Sequence, residues 1–187
     1  MEHMSFRAFI AAEVVPSERL KELLTELGNI GPGLKPVEVE NVHITLKFLG
    51  DTEEAQVPGI LERMGSSVTG IPPFTISLKD TGYFPPRGPA RTIWVGIDGA
   101  EPMVTIATRL EQSLESLGFV PEGREFKAHL TVARVKDNRA AFAAEQVARK
   151  NRSVEFGSQL IGSIKLKRSV LGRFGPTYSD VAEVRLH

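Results

Sequence analysis

The sequence predicts an α+β fold: two similar lobes about a pseudo-two-fold axis, antiparallel sheets lining a central groove, and helices outside. Three observations predict it. Apolar runs of strand length alternate with segments whose apolar residues recur at three- and four-residue spacings. The order strand–helix–strand–helix–strand is met twice, and a shift of 86 residues carries the first pass onto the second. Two of the matched strands share one local pattern, a histidine followed two residues later by a threonine.

In order, residues 6–14 form an apolar run of strand length, closed by Pro16-Ser17. Leu20, Leu23, Leu24 and Leu27 then mark one face of a helix that Gly28 ends. Residues 31–36 read as a loop, 42–49 as an alternating strand, 53–65 as a helix and 74–78 as a strand. The second pass begins with a strand over 92–97 and a helix over 102–117, which carries Met103, Ile106, Leu110 and Leu114. A strand at 129–135, an alanine-rich helix at 139–150 and strands at 153–156 and 162–171 complete it. The prolines and glycine of Tyr83 to Pro89 predict a loop joining the two passes. The expected organisation is a start region at 1–5 and one bilobal domain over 6–187, with a repeat at roughly 6–85 and 91–171. His3 lies in that start region and is given no role.

Composition excludes several function classes. Lacking cysteine, the chain has no disulfides, no thiol nucleophile and no cysteine-based metal centre, which fits a reducing, cytoplasmic location. No apolar run reaches the 18 or so residues of a membrane span. The 23 basic and 23 acidic side chains cancel, unlike a general nucleic-acid coat. The balance is uneven, however. Residues 1–120 hold 10 basic and 16 acidic side chains, and residues 121–187 hold 13 and 7. A basic surface on the C-terminal part follows, with Arg124, Lys127, Lys165, Lys167 and Arg168 as candidates to track a phosphate backbone.

The chemistry-bearing residues are His43, Thr45, His129 and Thr131. Strand side chains alternate, so His43 and Thr45 share one face, with Ile44, Leu46 and Phe48 on the other. Residues two apart stand roughly 6.6–7 Å apart along a strand, within reach of one small tetrahedral group. His129 and Thr131 repeat the arrangement. A pseudo-dyad would converge both pairs on a phosphate-sized site. Histidine titrates near neutrality, so one imidazole can act as base and the other as acid. Threonine hydroxyls can donate to phosphoryl oxygens, where charge accumulates. Two histidines without a carboxylate or cysteine cluster make a poor metal site, so neither metal nor cofactor is expected. Phe84, in the joining loop, is a candidate to stack on a base.

These residues resemble the 2H phosphoesterase superfamily, and within it the RNA 2′,3′-cyclic phosphodiesterases, also described as 2′-5′ RNA ligase-like proteins. FRAFIAAEV (6–14), VHITLKFLGD (42–51), GYFPPRGPARTIWVGI (82–97), AHLTVARVK (128–136) and LKRSVLGRFGPTYSDV (166–181) carry the resemblance. One departure is Ala128, where the family often has proline before the second histidine. The resemblance implies metal-free hydrolysis of an RNA 2′,3′-cyclic phosphate to a 2′-phosphomonoester, with reverse 2′-5′ ligation as the same chemistry run backwards. It implies His43 as proton donor, His129 as proton acceptor, and Thr45 and Thr131 as phosphate-binding residues. The residues themselves leave donor and acceptor interchangeable. Expected partners are RNA with a 2′,3′-cyclic phosphate end, tRNA fragments among them, or cyclic nucleotides, handled by a monomer. The contrasting reading is a non-catalytic RNA-end or nucleotide-binding module. The intact imidazole pair speaks against it, since arginine or lysine serves capture better.

Overall fold

The computed structural model describes residues 5–187, so the expected start region lies, apart from Ser5, outside the described residues. The elements run β1 (Ser5–Glu13), α1 (Glu18–Gly28), β2 (Leu34–Pro36), β3 (His43–Glu53), α2 (Val57–Val68), β4 (Phe74–Phe84), β5 (Thr92–Asp98), α3 (Glu101–Leu114), β6 (His129–Val135), α4 (Asn138–Lys150), β7 (Glu155–Ile161), β8 (Ser163–Gly172) and β9 (Gly175–Arg185). They form two antiparallel sheets, ordered β3-β1-β8-β9 and β2-β6-β5-β4-β7. This is the expected α+β architecture of two lobes.

Helix positions follow from caps and apolar stripes. The Ser17 hydroxyl accepts from the Leu20 amide at 3.2 Å and starts α1, whose Leu20, Leu23, Leu24 and Leu27 are all buried. Asp137 caps α4 by accepting from the Ala140 amide at 2.9 Å. That helix buries only alanines (Ala140, Ala141, Ala144 and Ala148), which lets its backbone lie close to the sheet. In α3, Met103, Ile106, Leu110 and Leu114 are buried as the spacing requires. Each such leucine contributes about 1.5–3 kcal/mol by leaving water. One contiguous core joins both sheets and the helices. Among the described residues, no helix is long and apolar enough to cross a membrane.

The two passes of the sequence do not each build one sheet. β4, the third strand of the first pass, pairs with β5 of the second. Its counterpart β8 returns to pair with β1. Each sheet therefore takes strands from the other pass, β8 in one and β2 and β4 in the other, which ties the lobes together covalently and through hydrogen bonds. The match is also not one shift throughout. The histidine strands stand 86 residues apart, but Glu13 opposite His43 corresponds to Gly96 opposite His129, and Ala11 opposite Thr45 to Trp94 opposite Thr131, each 83 apart. The second pass carries three more residues between its first strand and its histidine strand.

Three further segments differ from expectation. Residues 34–36 of the expected loop pair with β6 as β2. β4 continues to Phe84, so this residue ends a strand rather than lying in a loop. The tail forms β9, an edge strand in which no residue is fully buried, so no buried period marks it.

Candidate functional site

His43 and His129 open their strands at equivalent places, and the same backbone device aims each ring. His43 Nδ1–H donates to the Asn41 carbonyl at 2.6 Å, and His129 Nδ1–H donates to the Lys127 carbonyl at 2.7 Å. A carbonyl only accepts, so both rings carry their proton on Nδ1 when neutral, and each Nε2 is left for chemistry. Thr45 Oγ1 lies 3.0 Å from His43 Nε2. Each imidazole is also held edge-on by an aromatic ring. Tyr178 meets His43 at 5.3 Å and 88°, and Phe84 meets His129 at 5.7 Å and 87°.

Both histidine strands carry a bulge immediately after the His-x-Thr triplet, and it corrects the expected faces. β1 pairs Ala11 with Thr45 but Ile10 with Lys47, leaving Leu46 as the extra residue. β5 pairs Trp94 with Thr131 but Ile93 with Ala133, leaving Val132 extra. Beyond the bulge the alternation is reversed. Lys47, which regular alternation would put beside Thr45, turns into the helix layer, 2% exposed, with Nζ 2.8 Å from Glu111 and 3.0 Å from the Val120 carbonyl. Phe48, expected opposite the histidine, pairs with Phe9 and shares its face. Phe9 in turn lies 4.9 Å from the His43 ring. The matching residue of the second lobe, 86 positions on, is Arg134. It is exposed and paired with Thr92, which is itself paired with Phe84. The Arg134 charge acts on both His43 and Tyr178. Arg134 and Phe48 are the site residues that alternation alone misplaces.

Burial pulls the His43 pKa below its ordinary value, and the cations Lys167 and Arg134 add to this. The Asn41 carbonyl and Glu13 oppose it without restoring it. Lys167 belongs to a closed ring of charges on the same face. Its Nζ lies 2.5 Å from Glu13 and 2.8 Å from Asp180, while Lys165 lies 2.8 Å from Glu13 and 2.7 Å from Asp180. The four charges cancel. Lys165 and Lys167 are therefore committed within the protein, and Arg168 is likewise paired with Glu54 and stacked on Phe6. The basic surface expected from these three residues is not available as free cations. A cavity of about 390 Å³ lies between this charge ring, His43, Tyr178 and the turn at 39–42.

On the other lobe Phe84 packs on Trp94 at 5.5 Å. Gly82 makes room for the indole, because a Cβ there would fall 2.2 Å from the ring. The Trp94 indole N–H is buried without a partner. Arg124 and Lys127 stand on the segment leading into β6, and both are exposed. Among the described residues no three histidine, aspartate or glutamate side chains gather as a metal site would need.

Paired imidazoles over a two-lobed antiparallel frame define a phosphoesterase class. A family model described as LigT like Phosphoesterase matches residues 13–94 and again 95–178. The chain belongs to this family of two-histidine phosphoesterases, and within it to the RNA 2′,3′-cyclic phosphodiesterases. It is an enzyme. The Archaeoglobus fulgidus protein of that name is 40% identical over 94% of this chain and 97% of its own. The Aeropyrum pernix protein of the same name is 39% identical over 89% and 94%. A solved structure from Thermus thermophilus superposes with a TM-score of 0.79 at 30% identity, covering 96% of this chain and 97% of that one.

Proposed function

We propose that the protein hydrolyses the 2′,3′-cyclic phosphate at an RNA end to a 2′-phosphomonoester, with the two histidines as general acid and base. The observation that carries this reading is the matched tethering of the two rings, each Nδ1–H held by a backbone carbonyl two residues upstream so that Nε2 is the nitrogen left to exchange a proton. In the forward step His129 Nε2 takes a proton from water as its oxygen bonds to phosphorus. The bond from phosphorus to the 3′ oxygen breaks, and that oxygen takes a proton from His43 Nε2. Proton exchange with solvent resets both rings. Thr45 and Thr131 donate to the non-bridging oxygens, and the Arg134 charge balances the anion.

The depressed pKa of free His43 fits the donor role only through the substrate. A phosphodiester anion beside the ring favours the imidazolium and restores the proton that burial, Lys167 and Arg134 drive off. Phe84 offers its ring to the terminal base, and Arg124 and Lys127 flank the His129 end of the site. Run backwards with an RNA 5′-hydroxyl in place of water, the same groups would form a 2′-5′ linkage. We place the activity in the cytoplasm, a placement supported by the cysteine-free sequence. Phosphorus NMR of a 2′,3′-cyclic nucleotide incubated with the protein tests the reading. Appearance of the 2′-phosphomonoester supports it, and unchanged substrate with retained RNA binding would replace it with an RNA-end binder.

A further inference from the structure

We propose that the β8–β9 hairpin tip is a subsite for the nucleotide preceding the cyclic phosphate, so that the protein prefers an RNA strand to a mononucleotide. This rests on the function proposed above. A 2′,3′-cyclic phosphate can only terminate a chain at its 3′ end, so every further nucleotide leaves the site on one side. The question is which mouth of the groove receives it.

The tip (Arg173, Phe174, Gly175 and Pro176) crosses from its own sheet to the segment that precedes β3. Lys35 Nζ donates to the Phe174 carbonyl, and Asn41 Nδ2 donates to the Pro176 carbonyl at 3.2 Å. Asn41 is the residue whose own carbonyl orients His43, and Tyr178, two residues beyond Pro176, is the ring set edge-on against His43. The tip is thus fastened to the same backbone that positions the reacting imidazole. Gly175 makes this possible. Its φ is +137°, and a Cβ there would fall 2.2 Å from the Lys35 ammonium.

Fixed in this way, the tip leaves Phe174 84% exposed, with the Arg173 guanidinium 5.8 Å from its ring. Lys35 is paired with Arg134 across β2 and β6, so both point to one side of the sheet. The basic groups Arg134 and Lys35 therefore lead from His43 towards an exposed ring with an arginine over it. Cations that follow a backbone, ending on a ring that any base can stack on, are what single-stranded RNA recognition requires. At the other mouth Arg124 and Lys127 offer charge, but the ring there, Phe84, packs on Trp94 and His129 and serves the terminal base in the function proposed above, which leaves no ring for a further nucleotide.

The test compares kcat/KM for a 2′,3′-cyclic mononucleotide and for a trinucleotide RNA ending in the same cyclic nucleotide. Hydrolysis of the mononucleotide by the unaltered protein checks the underlying function independently. Phe174→Ala is expected to lower the trinucleotide value by about tenfold and leave the mononucleotide value unchanged, as loss of one stacked base implies. Arg173→Ala is expected to act likewise and to reduce the salt dependence of trinucleotide binding by about one phosphate contact. An equal effect on both substrates, or none on either, overturns the proposal. So does loss of the trinucleotide preference in Arg124→Ala with the tip variants unaffected.

Discussion

Thr45 Oγ1 lies 3.0 Å from His43 Nε2, so the hydroxyl donates to the lone pair that the reaction needs free or protonated. On substrate binding this donor must turn to a phosphoryl oxygen. Thr45→Val keeps the shape and strand preference but removes the donor. It is expected to lower kcat by about 10²-fold, the usual cost of one oxyanion donor, while Thr45→Ser retains most of the activity. A rise in KM with kcat unchanged would reduce the hydroxyl to ground-state binding.

The pH dependence follows from the surroundings of His43. Burial, Lys167 and Arg134 hold its pKa below the ordinary histidine value, so the limb of the kcat/KM profile set by His43 falls on the acid side of about 6.5. Lys167→Gln removes one of these cations and moves that limb to higher pH. The sign of the accompanying rate change separates donor from acceptor. If His43 gives the proton, more of the free protein carries it at pH 7, and kcat/KM at that pH rises relative to the profile maximum. If His43 accepts, the same shift lowers it.

Arg134 reaches the site because of a bulge, and its charge is felt at His43 across the groove. Arg134→Ala is expected to reduce kcat/KM by roughly 10²-fold and to weaken competition by inorganic phosphate. Arg134→Lys should restore only part of this, since an ammonium lacks the planar fork of donors. Unchanged phosphate inhibition in both variants would remove Arg134 from the phosphate.

The charge ring of Glu13, Asp180, Lys165 and Lys167 makes the fold acid-sensitive. Burial raises the two carboxylates, but hydrogen bonds from both lysines outweigh it, and the net direction is down from 4.5 and 3.8. A carboxylate with a lowered folded value stabilises fully above its ordinary pKa, and that contribution is lost as pH falls through the lowered one. The urea midpoint is therefore expected to drop as pH falls below about 4.5, and Glu13→Gln to flatten this dependence. The groups are partly exposed, so solvent screening keeps the effect modest. An identical slope in Glu13→Gln would place the acid sensitivity elsewhere.

Much of this was legible in the residues. The leucine spacing of α1, the two-residue His-x-Thr spacing and the shared shift of the histidine strands depend on local periods that the chain writes directly. What escaped depends on pairing. A bulge inserts one residue without changing composition, so regular alternation put Phe48 away from His43 and offered no reason to single out Arg134. Lys165 and Lys167 looked like free cations because Glu13 and Asp180 meet them only after β1, β8 and β9 have paired. β9 has no buried period because it is an edge strand, and β2, with three residues, is too short to show one.

The central claim is that both imidazoles exchange protons with the substrate. It is tested most directly by the rate of 2′,3′-cyclic nucleotide hydrolysis in His43→Ala and His129→Ala, each checked for a native unfolding transition. Each substitution alone is expected to lower turnover by about 10²–10⁴-fold. Unimpaired hydrolysis in either folded variant would contradict it.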